Sequence, residues 1–186
     1  MTSTGTASTE TASSDRATRT TQIHRVYIKA TPERIWTAIT DPGWNGRYGY
    51  GAPGHFELRP GGSYRALAGE EMKRGAAEMG WPLPDVIVDG EVLEVDPPRK
   101  LVQTWRMAMD PTATAEGFSR LTYEIEGPGA DGVCRLTLTH ELAGMPSLFA
   151  MTSGDNAFGE MGGGGWPWVL SDLKSLLETG EAFPPG

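Results

Sequence analysis

An α+β fold, in which a curved antiparallel sheet is crossed by a long C-terminal helix, is the class this sequence predicts. Three observations predict it: six to seven segments between residues 23 and 142 read as strands, a short capped helix interrupts them near the start, and the chain closes on a helix-spaced apolar stripe. Strands gathered in a run and then closed by a helix bury their apolar faces in two packed layers.

The first strand lies in IHRVYIKA, where Val26, Ile28 and Ala30 alternate with Arg25, Tyr27 and Lys29. A helix follows. Thr31 is placed to accept a backbone hydrogen bond at its start, Pro32 suits the first helical position, and Glu33 complements the positive end of the dipole. Ile35, Trp36, Ala38 and Ile39 form its buried face, and Asp41-Pro42-Gly43 stops it. The next piece, WNGRYGYGAPG, is too rich in glycine for a long helix and reads as a turn or short helix carrying Trp44, Tyr48 and Tyr50. Two short runs around Arg59-Pro60-Gly61-Gly62 make a hairpin. Residues 68–84 lack a sustained period and read as an excursion between strands.

Two strand pairs come next, one joined at Asp96-Pro97-Pro98 and one by a Gly/Pro/Asp turn. In the first pair Leu101, Gln103, Trp105, Met107 and Met109 share a face. In the second Cys134, Leu136, Leu138, His140 and Leu142 share a face, and Thr137, Thr139 and Glu141 point away. The closing helix carries Val169, Leu170, Leu173, Leu176 and Leu177 as its stripe, turns Ser171, Asp172, Lys174, Ser175 and Glu178 to water, and stops at Gly180.

A chain of 186 residues is sized for one domain with a tail. Residues 1–22 are rich in Ser and Thr, lack the basic start and apolar core of a secretory signal, and read as a disordered tail. The domain then spans 23–180, and 181–186 form a second tail. Sixteen basic against twenty-four acidic side chains leave a net charge of −8, which argues against nucleic acid and anionic membrane as partners. No apolar run reaches the length of a membrane span, and a single cysteine, Cys134, fits a reducing compartment, so the expected location is cytoplasmic.

The four glycines 162–165 are followed by Trp166 rather than by the Lys-Ser or Lys-Thr of a phosphate loop. They read equally as a connector and as a hinge that lets Trp166 and the first helical turn open over a pocket. His24, His55 and His140 are scattered and one cysteine builds no sulfur site, so neither metal nor cofactor is expected. No Gly-x-Ser-x-Gly elbow is present.

The segments YIKATPERIWTAITDP, ELRPGGSY, GEVLEVDPPRKLVQTW, SRLTYEIE, CRLTLTHE and GGWPWVLSDLKSLLETG resemble, in order, bacterial homologues of the activator of heat-shock protein 90 ATPase, in the START-like SRPBCC superfamily, over residues 23–180. The resemblance implies a helix-grip fold with a cavity between the bent sheet and the C-terminal helix. It also implies a choice of roles: binding of lipids, hormones or polyketides, cyclisation or dehydration of such molecules, or stimulation of a chaperone ATPase in stress response. The chain departs from its relatives at FAMTSGDNAFGEMGGGGW and in an enlarged loop at 68–84.

With that cavity, Trp44, Tyr48, Phe56, Tyr64, Trp105, Tyr123, Trp166 and Leu170 are its candidate apolar lining. Gln103 and His140 are the polar groups that would orient a ligand. The leading expectation is binding of a small apolar or amphipathic molecule, with access through movement of the segment between Met145 and Trp166. A chaperone-assisting interaction module is the second. A cyclase or dehydratase using His140 as acid or base is the third, and it needs a polar partner for that residue.

Overall fold

The computed structural model of the chain describes residues 20–155 and 164–184. Strand β1 (Thr21–Ile28) leads into helices α1 (Pro32–Thr40) and α2 (Pro42–Asn45), then into the hairpin of β2 (Gly54–Phe56) and β3 (Ser63–Leu67). Helix α3 (Glu70–Glu78) precedes β4 (Val86–Asp96) and β5 (Lys100–Met107), and α4 (Pro111–Glu116) precedes β6 (Ser119–Glu126) and β7 (Cys134–Glu141). Helices α5 (Pro146–Thr152) and α6 (Gly165–Thr179) close the chain.

The strands make one antiparallel sheet in the order β1-β7-β6-β5-β4-β3-β2. Strands β2 to β7 follow one another as a meander, and β1 joins them beside β7. Register shifts on β4, between Ala66 and Leu67 of its β3 partner and between Val92 and Glu94, mark bulges that bend the sheet. The concave face carries the core: Ile28, Leu101, Leu121, Leu136 and Leu138 from the strands meet Ile35 and Ala38 of α1 and Leu173 and Leu177 of α6. Each fully buried aliphatic side chain of this kind contributes about 1.5–3 kcal/mol.

Local chemistry places the two helices that cover this face. Thr31 caps α1 by accepting from Arg34 N at 3.3 Å, with Pro32 in its first turn. Gly180 ends α6 in the left-handed region at φ 84°. The last turns of α6 are fixed to β1, where Lys174 Nζ donates to Tyr27 O at 2.7 Å and Lys29 N donates to Glu178 Oε1 at 2.7 Å. These contacts occupy backbone groups near the end of an edge strand.

The inward faces of β1, β5 and β7 are those expected, with Ile28, Leu101, Gln103, Trp105, Leu136, Leu138 and His140 all buried. Other expectations are corrected. The stretch 68–84 contains α3, whose first turn is acidic and whose apolar face is only Ala76 and the half-buried Met72, too short a stripe to reveal it. Helices α4 and α5 were not expected either. Gln22 belongs to β1 rather than to a tail: its side chain is buried, its Nε2 donates to Phe149 O at 2.8 Å and its Oε1 accepts from Thr152 at 3.2 Å. Phe183 is docked rather than trailing, with its ring 5.1 Å from that of Trp168. The disordered-tail expectation for residues 1–19, and the first two of the four glycines, lie outside the described residues.

Candidate functional site

Strand register decides what faces the helix layer. Val92, Gln103, Leu121, His140 and Gln22 are successive cross-strand partners, so they form one row across five strands. Leu101, Tyr123, Leu138 and His24 form the next, and Trp105 lies opposite Ser119 on the other side. Tyr64 of β3 is paired with Gly90, where an added Cβ would meet Thr104 O at 2.0 Å, so only glycine fits beside this ring.

His140 is fully buried and both of its ring nitrogens are engaged. Ser119 Oγ donates to Trp105 O at 2.7 Å, which leaves its lone pairs to accept from His140 Nε2–H, also at 2.7 Å. Nδ1 then accepts from Trp166 Nε1 at 3.0 Å. The three rings of Trp105, His140 and Trp166 meet edge to edge or edge to face, 5.4–5.9 Å between centroids. Burial, aided by His24, holds the imidazole pKa down at about 3. Both nitrogens expected to orient a ligand or to move a proton are thus occupied within the chain, and the ring stays neutral. Its work is to fix Trp166 against the sheet. Ser119, which the sequence reading passed over, sets the tautomer, and its place inside the Ser119, Leu121, Tyr123 alternation was the available signal.

Gln103 differs. It is 1% exposed, and neither Oε1 nor Nε2 has a hydrogen-bond partner among the described residues. Each such orphan carries a cost of about 1–3 kcal/mol. Its cross-strand partners on either side, Val92 and Leu121, are apolar.

Around it stand aromatic groups that keep some accessible surface. Tyr48, Tyr64 and Tyr123 are half-buried, yet burial raises all three phenol pKa values well above the ordinary range. Tyr64 and Tyr48 raise Tyr123 further, Tyr64 and Asp172 raise Tyr48, and the Trp105 side chain partly opposes the shift at Tyr64. Phe56 lies on Tyr64 with centroids 4.4 Å apart. Tyr64, Trp105 and Tyr123 thus connect the histidine cluster to the hairpin side of the sheet. Leu170 is buried on α6, one turn beyond Trp166. Trp44 stands differently, with the Arg47 guanidinium 4.7 Å over its ring, so one of its faces meets a surface cation.

The loop carrying Tyr48 is pinned at several points. Asn45 bridges α2 to β2, donating to Ile39 O and Gly54 O and accepting from Gly54 N at 2.7 Å. Tyr48 donates to Ala38 O at 3.1 Å. Asp172, expected to face water, is instead 2% exposed and accepts from Gly49 N at 2.7 Å and from Phe183 N at 2.5 Å.

The start of α6 is equally close-set. Gly165 has φ +48°, and a Cβ there would lie 2.5 Å from Thr152 O. Helix α5, within the segment expected to move, receives the Glu116 carboxylate on Ser147 N and Leu148 N at 2.8 and 2.9 Å.

Two shallow concavities, of about 380 and 730 Å³, are lined largely by the outer side of the sheet, one around Arg65, Asp89 and Thr104 and one around Arg99, Glu124 and Arg135. Both mix charges of the two signs and open to solvent, so neither makes a better candidate than the aromatic inner face. Among the described residues no group of three His, Cys, Asp or Glu side chains is placed to hold a metal, and no helix is long and apolar enough to cross a membrane. Cys134 is buried in β7, which pushes its thiol pKa up.

The family model described as Activator of Hsp90 ATPase homolog 1-like protein matches residues 29–178. No curated protein matches the chain significantly. Among solved structures, a Bordetella parapertussis protein superposes with a TM-score of 0.60 at 25% identity, covering 90% of this chain and 78% of that one. The solution structure of CalU16 from Micromonospora echinospora gives 0.58 at 20%, covering 89% and 70%; of the crystallised CalU16 chain, 60% is spanned. An HSP90 activator from Plasmodium falciparum gives 0.50 at 21%, covering 86% and 89%.

Proposed function

Because the chain belongs to the family of Activator of Hsp90 ATPase homolog 1-like proteins, whose fold lays a helix across a curved sheet, we propose that it binds a small hydrophobic or amphipathic molecule between the inner face of the sheet and α6. The observation that carries this reading is the state of Tyr48, Tyr64 and Tyr123. Each keeps some accessible surface as a residue, while burial raises its phenol pKa. Aromatic side chains left partly accessible on the inner face are the lining an apolar recess needs. Its walls are aromatic, and burial of ligand surface at about 25 cal/mol per Å² would drive uptake.

A screen of hydrophobic metabolites by thermal shift and tryptophan fluorescence tests it. Ligands should raise the melting temperature and perturb the emission of Trp105 or Trp166, and Tyr123→Leu and Trp105→Phe should weaken them by about tenfold. A screen without a hit, or hits that bind both variants as tightly as the parent, defeats the reading.

The family carries a second reading, a module that docks on a heat-shock protein 90 type chaperone. Met79 and Trp81, 67% and 57% exposed beyond the end of α3, favour it as an apolar contact. Pull-down of the chaperone by the parent chain but not by Trp81→Ala would support docking; no capture by either would remove it.

A further inference from the structure

We infer that the molecule taken up is uncharged and presents a hydrogen-bond donor beside a carbonyl acceptor, the edge of a cis-amide, lactam or cyclic imide, which pairs with the Gln103 carboxamide. The inference rests on the binding reading above and adds the chemical class of the ligand.

Gln103 is buried in the middle of the inner row, and both halves of its amide lack a partner among the described residues. The groups that might have served are committed elsewhere. His140, two strands away in the same row, has one nitrogen on Ser119 and the other on Trp166, and the Ser119 proton goes to Trp105 O. Val92 and Leu121, directly opposite, offer only hydrocarbon. Tyr123 stands one diagonal step away, within reach of a long side chain. Both Gln103 amide atoms are covered, so pairing follows a change of its rotamer toward the accessible side of Tyr123.

Charge decides the class further. The inner-face positions of β5, β6 and β7 carry no Lys, Arg, Asp or Glu. The nearby tyrosines are held protonated and His140 is held neutral. On the covering helix the buried Asp172 carboxylate, which acts on Tyr48, is committed to Gly49 N and Phe183 N, so an ion beside Gln103 would lie in a low dielectric with no opposite charge from the sheet. A carboxylate would accept from Nε2 and face Oε1 in repulsion, while an ammonium would leave Nε2 without an acceptor. A cis-amide edge satisfies both atoms with two parallel hydrogen bonds. The stacked pair Phe56 and Tyr64, with Trp105 beyond, suits a planar body attached to that edge.

Four probes with one ring skeleton test this on the full chain by fluorescence and calorimetric titration: phenanthridin-6(5H)-one, its N-methyl derivative, phenanthrene and phenanthrene-9-carboxylate. The lactam should bind about tenfold more tightly than the N-methyl compound, and the carboxylate most weakly. In Gln103→Leu the lactam preference should fall to within about twofold, with phenanthrene bound at least as well as by the parent. If the parent chain binds phenanthrene but shows no preference for the lactam, or if the preference survives in Gln103→Leu, the pairing is overturned while the binding reading stands. If the parent chain binds none of the four uncharged or charged probes, the recess itself is refuted and both fall together. The lactam comparison in the parent chain needs no variant, and Gln103→Met replaces Gln103→Leu should the latter fail to fold.

Discussion

The indole N–H of Trp166 donates to Nδ1 of His140 across 3.0 Å, joining the first turn of α6 to the centre of β7. Because Nε2 of the same ring is turned to Ser119, the bond also selects which tautomer the fold uses. Replacing Trp166 by Phe keeps an aromatic ring and removes the donor, leaving Nδ1 buried with no partner. The expected loss is about 1–3 kcal/mol in urea unfolding. Stability within a few tenths of the parent would show that the bond holds nothing.

The same ring makes stability depend on pH. An unfolded histidine takes up a proton near pH 6.5, whereas folded His140 resists until about pH 3, so between those values the unfolded chain holds more protons. Stability is therefore complete above pH 6.5 and declines as the pH falls toward 3, by roughly 4–5 kcal/mol at most. His24, lowered by burial as well, adds to the decline with the same sign. Denaturant melts of the parent and of His140→Gln between about pH 7.5 and pH 4 measure the share owed to this residue. Equal slopes in the two proteins would refute it.

Asp172 shows where the sequence could and could not be read. Strand alternation legibly placed Gln103, Trp105, Leu136 and His140 on the concave face, since a period of two leaves only one choice once a single face is buried. The caps of α1 and α6 were equally plain, because Thr31, Pro32 and Gly180 act on their immediate neighbours. Asp172 sits among Ser171, Lys174 and Ser175 on the polar side of α6, and local spacing turns it to water. What buries it is the backbone N–H of Gly49, brought from 123 residues away, together with that of Phe183. The same limit hid the commitment of His140, whose partners are 21 and 26 residues distant. Helix α3 escaped for a different reason: its stripe is only Met72 and Ala76, and Gly75 weakens the local helical signal.

Asp172→Asn tests that long-range anchor. The substituted amide can accept from one of the two backbone N–H groups, but its NH₂ brings a donor into a site made of donors. A loss of about 1–3 kcal/mol is expected, with faster amide exchange at Gly49 and Phe183 than in the core of β7. Unchanged protection at Gly49 would mean that Asn45 and the Trp168 indole N–H, which donates to Gly49 O at 3.4 Å, hold this loop without the carboxylate.

Gln103→Leu should act in the opposite direction. The parent chain keeps two amide atoms buried without partners among the described residues, between Val92 and Leu121 on the neighbouring strands. Leucine is of similar size, leaves nothing unsatisfied and adds apolar contact, so the variant should be more stable by about 1–2 kcal/mol and should melt several degrees higher. A polar residue kept at a cost to stability marks a position held for another purpose, which is why this substitution separates function from packing. A melting temperature equal to or below that of the parent would overturn this reading. Thermal unfolding of the two proteins side by side makes the comparison.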